Sequence, residues 1–389
     1  MRQTNKIRKG IAWLLCTVLV LGILPMLPQM SMQISAAENA ASVFVDGVEL
    51  HAGSQEYFKN GDTADSGATG TYEDHSAYYD TAGELWLNNL EAHTIKADGN
   101  LIIYVCNNQA TNTNIVTATQ NETAIEVTGY LTIRYGGYGG GTGSLTVESD
   151  GKEAIQAGSG MTVSDGVEVK ARAKSGATAI SSGGVLKIDG IRTKLEAAGD
   201  GSTGKGIFAQ QSIYVKNSAV LTAFGGAAAY ESPSGIDKSG YGYEDYNVFT
   251  GDAAPGTQAA QDTVLDGYKY IRIEPTGVAN VKTLTELQAA AQNQYISLIN
   301  VMNDITITDT VYVRRAVTIQ SQDASNVSKL IRVKNHSGVI LDFDGANGHK
   351  SDVVVLKNIT LDGNRDTITQ TVLPAIQCQY ITVDLENAV

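Results

Sequence analysis

An internal repeat between Leu145 and Gly226 limits the folds that are open to this chain. Three segments, 151–173, 176–197 and 204–224, share one order: a glycine, a small residue with isoleucine, a turn, and two short alternating apolar runs. The first runs begin at Met161, Leu186 and Ile213, so the unit recurs after 25 and then 27 residues. Because one such coil cannot bury its apolar face alone, the repeat predicts a solenoid of stacked coils.

The distribution of proline and glycine supports this prediction. No proline lies between Pro28 and Pro233, which suits a continuous ladder of strands, since proline cannot donate to it. The 41 glycines, with Ser, Thr, Asn and Asp, supply turns. Residues 43–50 predict a strand pair that caps the open end. Less regular first coils are predicted at 84–90, 100–105, 124–127 and 130–134.

A second pattern begins near residue 281. Thr283 and Glu286 have the spacing of a capping box, which predicts a short helix that plugs the next coils. Apolar triplets then return at offsets of 22, 20 and 22 residues, which predicts parallel coils of tighter pitch; they lie at 317–319, 339–341, 359–361 and 381–383.

We therefore predict an all-β fold of two successive right-handed parallel β-helices with one short capping helix. The first domain is 38–275, with regular coils at 145–226 and a Tyr-rich loop at 227–263, and its last strand ends at Pro275. The second domain is 276–389. Because its last strand has no cap, we expect this domain to be truncated.

The N-terminus and the charge predict the destination. Residues 1–37 have four cations, an apolar run of 14 residues and a small-residue exit, which is typical of a secretory signal peptide. That run is shorter than the roughly 20 residues of a membrane span, so we expect cleavage, export and no membrane insertion. The full chain has a net charge of -13, which argues against a nucleic-acid partner. Cys106 and Cys378 are predicted to be buried free thiols.

The repeated Gly-x-x-Ala-Ile and Leu-x-Ile-x-Gly phrases resemble the parallel β-helix carbohydrate-binding domains of exported Firmicute proteins, some similar to calcium-dependent polygalacturonate binders. This resemblance covers roughly residues 42–275, from "VFVDGVEL" to "YKYIRIEP". Residues 281–389, with the phrase "ITLDGNRDT", resemble the start of a pectate-lyase-like β-helix of large bacterial adhesins. The resemblance implies a polysaccharide partner and leaves an acidic glycan such as pectin, with calcium as cofactor, as an open option.

Calcium takes six to eight oxygen ligands, which acidic turns can supply. If the calcium-dependent resemblance holds, the candidate metal ligands are Asp150, Glu153, Asp165, Asp189 and Asp200. The alternative is that these carboxylates only make turns by bonding their own backbone.

Aromatic rings suit the apolar CH faces of sugars. The sequence has two aromatic clusters, formed by Tyr72, Tyr78, Tyr79 and Trp86, and by Tyr230, Tyr241, Tyr243 and Tyr246. The carbohydrate-binding candidates are Trp86 and the four residues of the second cluster. The alternative is that these side chains only cover the side of the solenoid.

Two acidic turns are the best candidates for an enzyme, and they contain Asp342, Asp344, Asp362, Arg365 and Asp366. The resemblance implies calcium-bound carboxylates and an arginine base, as in polysaccharide lyases of similar fold, whereas paired carboxylates would suit a hydrolase. Turn formation also explains them. We predict a monomeric, secreted or wall-associated, non-catalytic adhesin-like protein that binds polysaccharide. A polysaccharide lyase or glycosidase with an incomplete active coil, and a structural stalk without ligand, remain alternatives.

Overall fold

The computed structural model describes these residues, except the side chains of 244 and 245: 39–71, 73–106, 113–119, 121–137, 142–238, 244–260, 262–345, 352–364 and 374–388. The predicted signal peptide lies outside them. The described chain coils into a β-solenoid of about ten turns with a single short helix. The prediction of an all-β, parallel β-helical fold is confirmed.

Three long sheets form the sides of the solenoid. The first sheet has eight strands, in the order Val48–His51, Ser42–Val45, Ile95–Ala97, Ile125–Val127, Ile155–Ala157, Ile180–Ser182, Lys205–Ala209 and Ala228–Glu231. The second has nine, in the order Ile236–Asp237, Ile213–Lys216, Leu186–Asp189, Gly160–Ser164, Tyr130–Tyr135, Leu101–Val105, Glu84–Leu87, Ala77–Tyr79 and Glu56–Phe58.

The third sheet has 13 strands and runs through the whole solenoid. Its main path is Thr382–Glu386, Val353–Lys357, Val317–Ser321, Leu298–Val301, Tyr270–Val281, Val220–Gly225, Lys194–Gly199, Glu168–Lys174, Ser144–Asp150, Asn114–Ala118 and Glu91–Ala92, with Glu244–Gly251 and Thr257–Ala259 beside it. The fourth sheet consists of Ile305–Ile307, Lys329–Arg332 and Thr360–Asp362, and the fifth of Val311–Val313, Leu341–Asp344 and Ile376–Gln379.

The repeated coils stack in register around an apolar core. Met161 pairs with Leu186 and Leu186 with Ile213 in neighbouring parallel strands, and all three side chains are fully buried. The first sheet buries a column of isoleucines, Ile95, Ile125, Ile155, Ile180 and Ile207. Burial of one such side chain stabilises a fold by about 1.5–3 kcal/mol, so these columns hold the coils together.

The glycines of the repeat lie where consecutive coils approach each other most closely. A Cβ atom on Gly158 would lie 2.1 Å from the carbonyl oxygen of Thr128. One on Gly183 would lie 1.8 Å from the carbonyl oxygen of Gly158. Because van der Waals contact requires well over 3 Å, no side chain fits at either corner.

The N-terminal strand pair is present as an antiparallel hairpin. Ser42–Val45 pairs with Val48–His51 through Asp46 and Gly47, whose φ angles of 49° and 80° make the turn. Ser42–Val45 also pairs antiparallel with Ile95–Ala97 and so covers the first parallel strand of its sheet.

The segment predicted as a Tyr-rich loop contains strands instead. Ala228–Glu231 and Ile236–Asp237 continue the first and second sheets as a further coil. Glu244–Gly251 and Thr257–Ala259 form an antiparallel hairpin that joins the third sheet. The loop prediction is wrong here because Pro233 and the glycines occupy the turns and leave the strands between them intact.

One long strand connects the two apolar clusters of the core. Tyr270–Val281 pairs antiparallel with Val220–Gly225 through its first residues and parallel with Leu298–Val301 through its last ones. The predicted end at Pro275 is wrong, because the strand passes this proline at a register shift. One cluster includes Ile273 and the next begins at Ala279, so the predicted boundary at Thr276 lies within the strand.

The second set of coils is less regular than its sequence predicts. The four apolar triplets enter three different sheets: Val317–Ser321 and Thr382–Glu386 the third, Leu341–Asp344 the fifth, and Thr360–Asp362 the fourth. The residues that do stack include Ile299, Ile319 and Leu356, at unequal spacing. The prediction of a tighter, regular pitch is therefore wrong.

The capping helix is confirmed and spans Leu284–Gln292. The Thr283 side chain accepts from the Glu286 amide, and the Glu286 side chain accepts from the Thr283 amide, which completes the capping box. The helix buries Leu287, Ala290 and Ala291 in the second apolar cluster.

Cys106 and Cys378 are free and only partly as predicted. Cys106 is half-buried, whereas Cys378 is exposed, so the prediction of a buried thiol is wrong at Cys378. Within the described ranges, no helix combines the length and the apolar character needed to cross a membrane.

Candidate carbohydrate-binding groove

A groove lies on the outer face of the third sheet, where the two sets of coils meet. Its larger part has a volume of about 730 Å³ and is lined by residues of three strands, together with Ala254 and Tyr295. A smaller part of about 470 Å³ is lined by Tyr295 and by Arg192, Gln294, Arg315, Ala316 and Asp352. Because Tyr295 lines both parts, we describe them together as the junction groove.

Strand register gives the floor of the junction groove a regular pattern. Outward side chains form three rows across adjacent strands: Lys194 with Val220; Glu196 with Thr222 and Arg272; Ala198 with Phe224 and Tyr270. The alternate residues Leu195, Leu221 and Ile271 are buried on the core side. Adjacent strands lie about 4.8 Å apart, so charged, hydroxyl and aromatic groups follow one another at that interval.

The hairpin and the segment after the helix form the walls. Ala254, in the turn of the hairpin, lines the groove. A Cβ atom on Gly256 would lie 2.9 Å from the Tyr270 ring, so the turn packs directly against this aromatic. On the other side, Tyr295 is 40 % exposed and its amide donates to the Asn293 Oδ1 atom over 3.0 Å.

The charged residues of the floor are held in place by the sheet. Arg272 forms an ion pair with Glu274, and its guanidinium carbon lies 5.9 Å from the centre of the Phe249 ring. Burial raises the pKa of the Tyr270 hydroxyl against the attraction of Arg272, so this hydroxyl is a neutral donor at neutral pH. The groove therefore combines aromatic surface with fixed donors and acceptors, which are the groups that a sugar ring requires.

The predicted sugar-binding residue Trp86 lies elsewhere, on the outer face of the second sheet. Its ring stacks on Tyr104 with centres 4.0 Å apart and planes 8° apart, and its Nε1 atom donates to Asp80 over 3.0 Å. Arg134 lies 4.3 Å from the centre of the Tyr104 ring. Because one indole face is covered, Trp86 serves the stacking of coils and offers a sugar only part of its surface.

The two members of the second predicted aromatic cluster that the structure describes are not exposed. Tyr230 and Tyr246 are buried, at 5 % and 2 % exposure. The Tyr230 hydroxyl donates to Asp266 over 2.5 Å, and the Tyr246 hydroxyl accepts from the Ser218 amide over 3.1 Å. The prediction of exposed rings is wrong at these two positions, because both side chains are part of the first apolar cluster.

The remaining aromatic candidates do not lie in the junction groove as far as the structure describes them. Tyr78 stacks on Tyr57 with ring centres 5.2 Å apart, and Tyr79 is fully buried. Tyr72, Tyr241 and Tyr243 lie outside the described residues.

Three of the five predicted calcium ligands lie between strands, Asp150 and Asp189 are the last residues of their strands, and most of the five have other partners. Asp200 binds Arg172 at 2.6 Å, Asp189 binds Lys187 at 2.5 Å, and Asp150 accepts from Ser175. Asp165 accepts from Ser164, and Glu153 is half-buried. Among the described residues, no three His, Cys, Asp or Glu side chains come together as a group that could hold a metal ion. These residues do not fit a calcium site built from the protein alone.

The acidic residues considered for an enzyme divide between two sheets. Arg314 binds Asp344 at 2.6 Å and lies 4.0 Å from Asp342, on the outer side of the fifth sheet. Asp362 is on the fourth sheet and accepts from the Asn364 amide over 2.8 Å, as a turn residue does. Arg365 and Asp366 lie outside the described residues.

Sequence reasoning missed the junction groove. Strict alternation in the segment 270–274 places Tyr270, Arg272 and Glu274 on one face, so this strand carried a signal that could have been used. Tyr295 follows the helix without any periodic pattern. Its position depends on how the chain returns to the third sheet, which the sequence does not indicate.

A comparison with protein families finds a similarity over part of the chain. Residues 278–387 match the family described as "Putative pectate lyase-like adhesive domain". This match covers the second set of coils and supports an adhesin-like or polysaccharide-related role. No curated protein and no solved structure matches the chain.

Proposed function

We propose that this chain is a secreted or cell-surface, non-catalytic, adhesin-like protein that binds polysaccharide in the junction groove. The observation that carries the proposal is the floor of the groove, where Thr222, Phe224 and Arg272 lie on adjacent strands beside Tyr295. The match of residues 278–387 to an adhesive domain supports the same class of function and a surface or extracellular location.

The shape of the groove suits a chain molecule. It is open to solvent, and it continues from the outer face of the first set of coils to Arg315 and Asp352 in the second. A polymer could thus enter and leave at both ends, whereas a closed pocket would admit only a chain end. Aromatic groups provide contact area, and the polar rows fix the orientation of the sugar hydroxyls.

The test is affinity electrophoresis of the mature protein in gels that contain polygalacturonate, xylan or a β-glucan. Tyr295→Ala removes an exposed ring at the centre of the groove. We expect this variant to bind the retarding polymer about tenfold more weakly, since loss of a partly buried aromatic contact costs about 1–2 kcal/mol.

Tyr312→Ala is the matched control. Tyr312 is 43 % exposed, close to the 40 % of Tyr295, but it lies on the fifth sheet outside the groove. If none of the polysaccharides retards the native protein, the result favours a structural stalk without ligand. An equal loss of affinity in both variants would remove the groove from the proposal.

A further inference from the structure

Three cations of the junction groove lack a carboxylate partner. Among the described residues, no ion pair involves Arg192, Lys194 or Arg315. Arg192 donates to the amide oxygen of Gln294 over 2.9 Å. The Arg315 guanidinium donates only to backbone carbonyls, those of Ala316 and Ala290.

This arrangement differs from the rest of the same sheet. The chain has 41 acidic residues against 28 basic ones, so carboxylates are in excess. Arg172 binds Asp200 and Lys174 binds Glu148, both across neighbouring coils. Other outward cations of the third sheet thus have a carboxylate within reach, whereas Lys194, at the start of its strand, and Arg192 and Arg315, in the turns that line the groove, make no ion pair among the described residues.

Arg315 is the most constrained of them. Its side chain is 9 % exposed, and its buried Nε atom has no hydrogen-bond partner. Burial lowers its pKa to about 10, and the attraction of Asp352 offsets this only in part. The bond to Ala290 places the guanidinium at the C-terminal end of the helix, where a cation is favoured. Asp352 is near enough to attract this charge but forms no ion pair with it, so the guanidinium on the groove side has no carboxylate in direct contact.

Arg192 is held at the groove by an unusual backbone. Its φ angle of 66° lies in the left-handed region, which long side chains seldom adopt. The turn places Arg192 in the smaller part of the groove, which residues of the second set of coils also line. Glu196 and Asp352 also line the groove, and the Asp352 carboxylate accepts from the Ala316 amide over 2.9 Å.

We propose that the junction groove selects saccharides that carry an anionic group, and that Arg192, Lys194 and Arg315 attract that group directly, without a bridging metal ion. The anionic group is a carboxylate or a sulfate ester on a sugar ring, and this ring packs beside Tyr295 and Phe224. Cations on a concave surface attract such a group more strongly than on a flat one. This inference rests on the proposed function and specifies its ligand.

The test measures binding of oligogalacturonate to the mature protein by calorimetry, in a chelator and at low salt. Arg192→Asn with Lys194→Gln removes two of the cations, and asparagine tolerates the left-handed backbone at position 192. We expect at least about a tenfold loss of affinity, since each charge-assisted contact is strong. Lys152→Gln with Lys329→Gln removes the same charge from exposed positions outside the groove and should change affinity less than about twofold.

Two further ligands identify the anion. The methyl-esterified oligomer has the same rings without charge, and a chondroitin sulfate oligosaccharide replaces part of the carboxylate by sulfate ester. Binding of either anionic ligand, lost in the groove variant alone, supports the inference and names the source. Equal binding of the ester, equal losses in both double variants, or a requirement for calcium would overturn it. Tyr295→Ala separates the two proposals, because a groove that binds neutral glycans would still lose affinity in that variant.

Discussion

Gly183→Ala tests the close stacking of coils on which the whole architecture depends. The added Cβ atom would lie 1.8 Å from the carbonyl oxygen of Gly158 and 2.6 Å from its carbonyl carbon. Relief of this clash requires a shift of more than 1 Å between two coils, because van der Waals contact needs well over 3 Å. The same shift would stretch the bond from the Gly183 amide to the Ala157 carbonyl, which is 2.8 Å long.

The magnitude follows from three contributions. Overpacking in a rigid core costs about 1–3 kcal/mol. Loss of one buried backbone hydrogen bond adds about 1 kcal/mol. Alanine reduces the freedom of the unfolded chain and returns about 0.5–1 kcal/mol. We expect the free energy of unfolding to fall by about 2–3 kcal/mol.

Urea denaturation followed by circular dichroism measures this change. Amide hydrogen exchange should show the loss of protection at residues 155–188, because coils in a solenoid depend mainly on their neighbours. Gly363→Ala is the control, since a Cβ atom there has no neighbour within 4 Å. Equal stability of the two variants would refute the close approach of coils at Gly183.

Three other outcomes are expected. Trp86→Ala should lower the free energy of unfolding by about 2–4 kcal/mol with little change in polysaccharide binding. A double-mutant cycle of Trp86→Ala with Tyr104→Ala, measured by urea denaturation, should give a coupling energy of about 1 kcal/mol for the stacked rings. A large loss of binding at unchanged stability would contradict this. Thr283→Ala should cost about 1 kcal/mol through the lost cap, whereas Thr283→Ser should retain most of it, as measured by thermal unfolding. Burial raises the pKa of the Cys106 thiol to about 11, so this thiol stays protonated at pH 8. Iodoacetamide at pH 8 should therefore label Cys106 at least about tenfold more slowly than the exposed Cys378, as measured by peptide mass spectrometry. Equal labelling rates would contradict the burial of Cys106.

The repeat was sufficient to predict the architecture of the first coils. The alternation around Met161, Leu186 and Ile213 specifies which side chains point inward, and stacking in register follows because each column is apolar. The corner glycines Gly158 and Gly183 also occur at the same place in the first two units, whereas Gln210 has this place in the third. Local pattern and global packing agree here, so a short motif is enough.

The second set of coils shows where that reasoning fails. The triplets near Val317, Leu341, Thr360 and Thr382 are nearly evenly spaced, yet they belong to three sheets. A coil of three strands can place similar triplets on each of its sides, and even spacing then reflects strand length and turn length. Only the pairing of strands distinguishes a neighbour within a coil from a neighbour across coils, and a single sequence does not contain it.

The candidate site was less predictable than the fold. The choice of Tyr230 and Tyr246 relied on a loop, whereas strands in that segment bury both rings. The choice of Trp86 rested on residue type, and the stack on Tyr104 depends on register between coils. Alternation within strands separates Phe224 and Arg272 from their buried neighbours, but their meeting with Tyr295 depends on tertiary structure.

The position of the groove follows from the end of the repeat. In the regular coils, several outward charges pair across successive strands, as Lys174 does with Glu148 and Arg172 with Asp200. Charges that are paired in this way have little to offer a ligand. At Tyr270–Val281 the pairing changes from antiparallel to parallel, and a hairpin and Tyr295 rise beside the sheet. The break in the repeat thus creates the walls of a groove beside Arg192 and Lys194 of the regular coils, and we propose binding there for that reason.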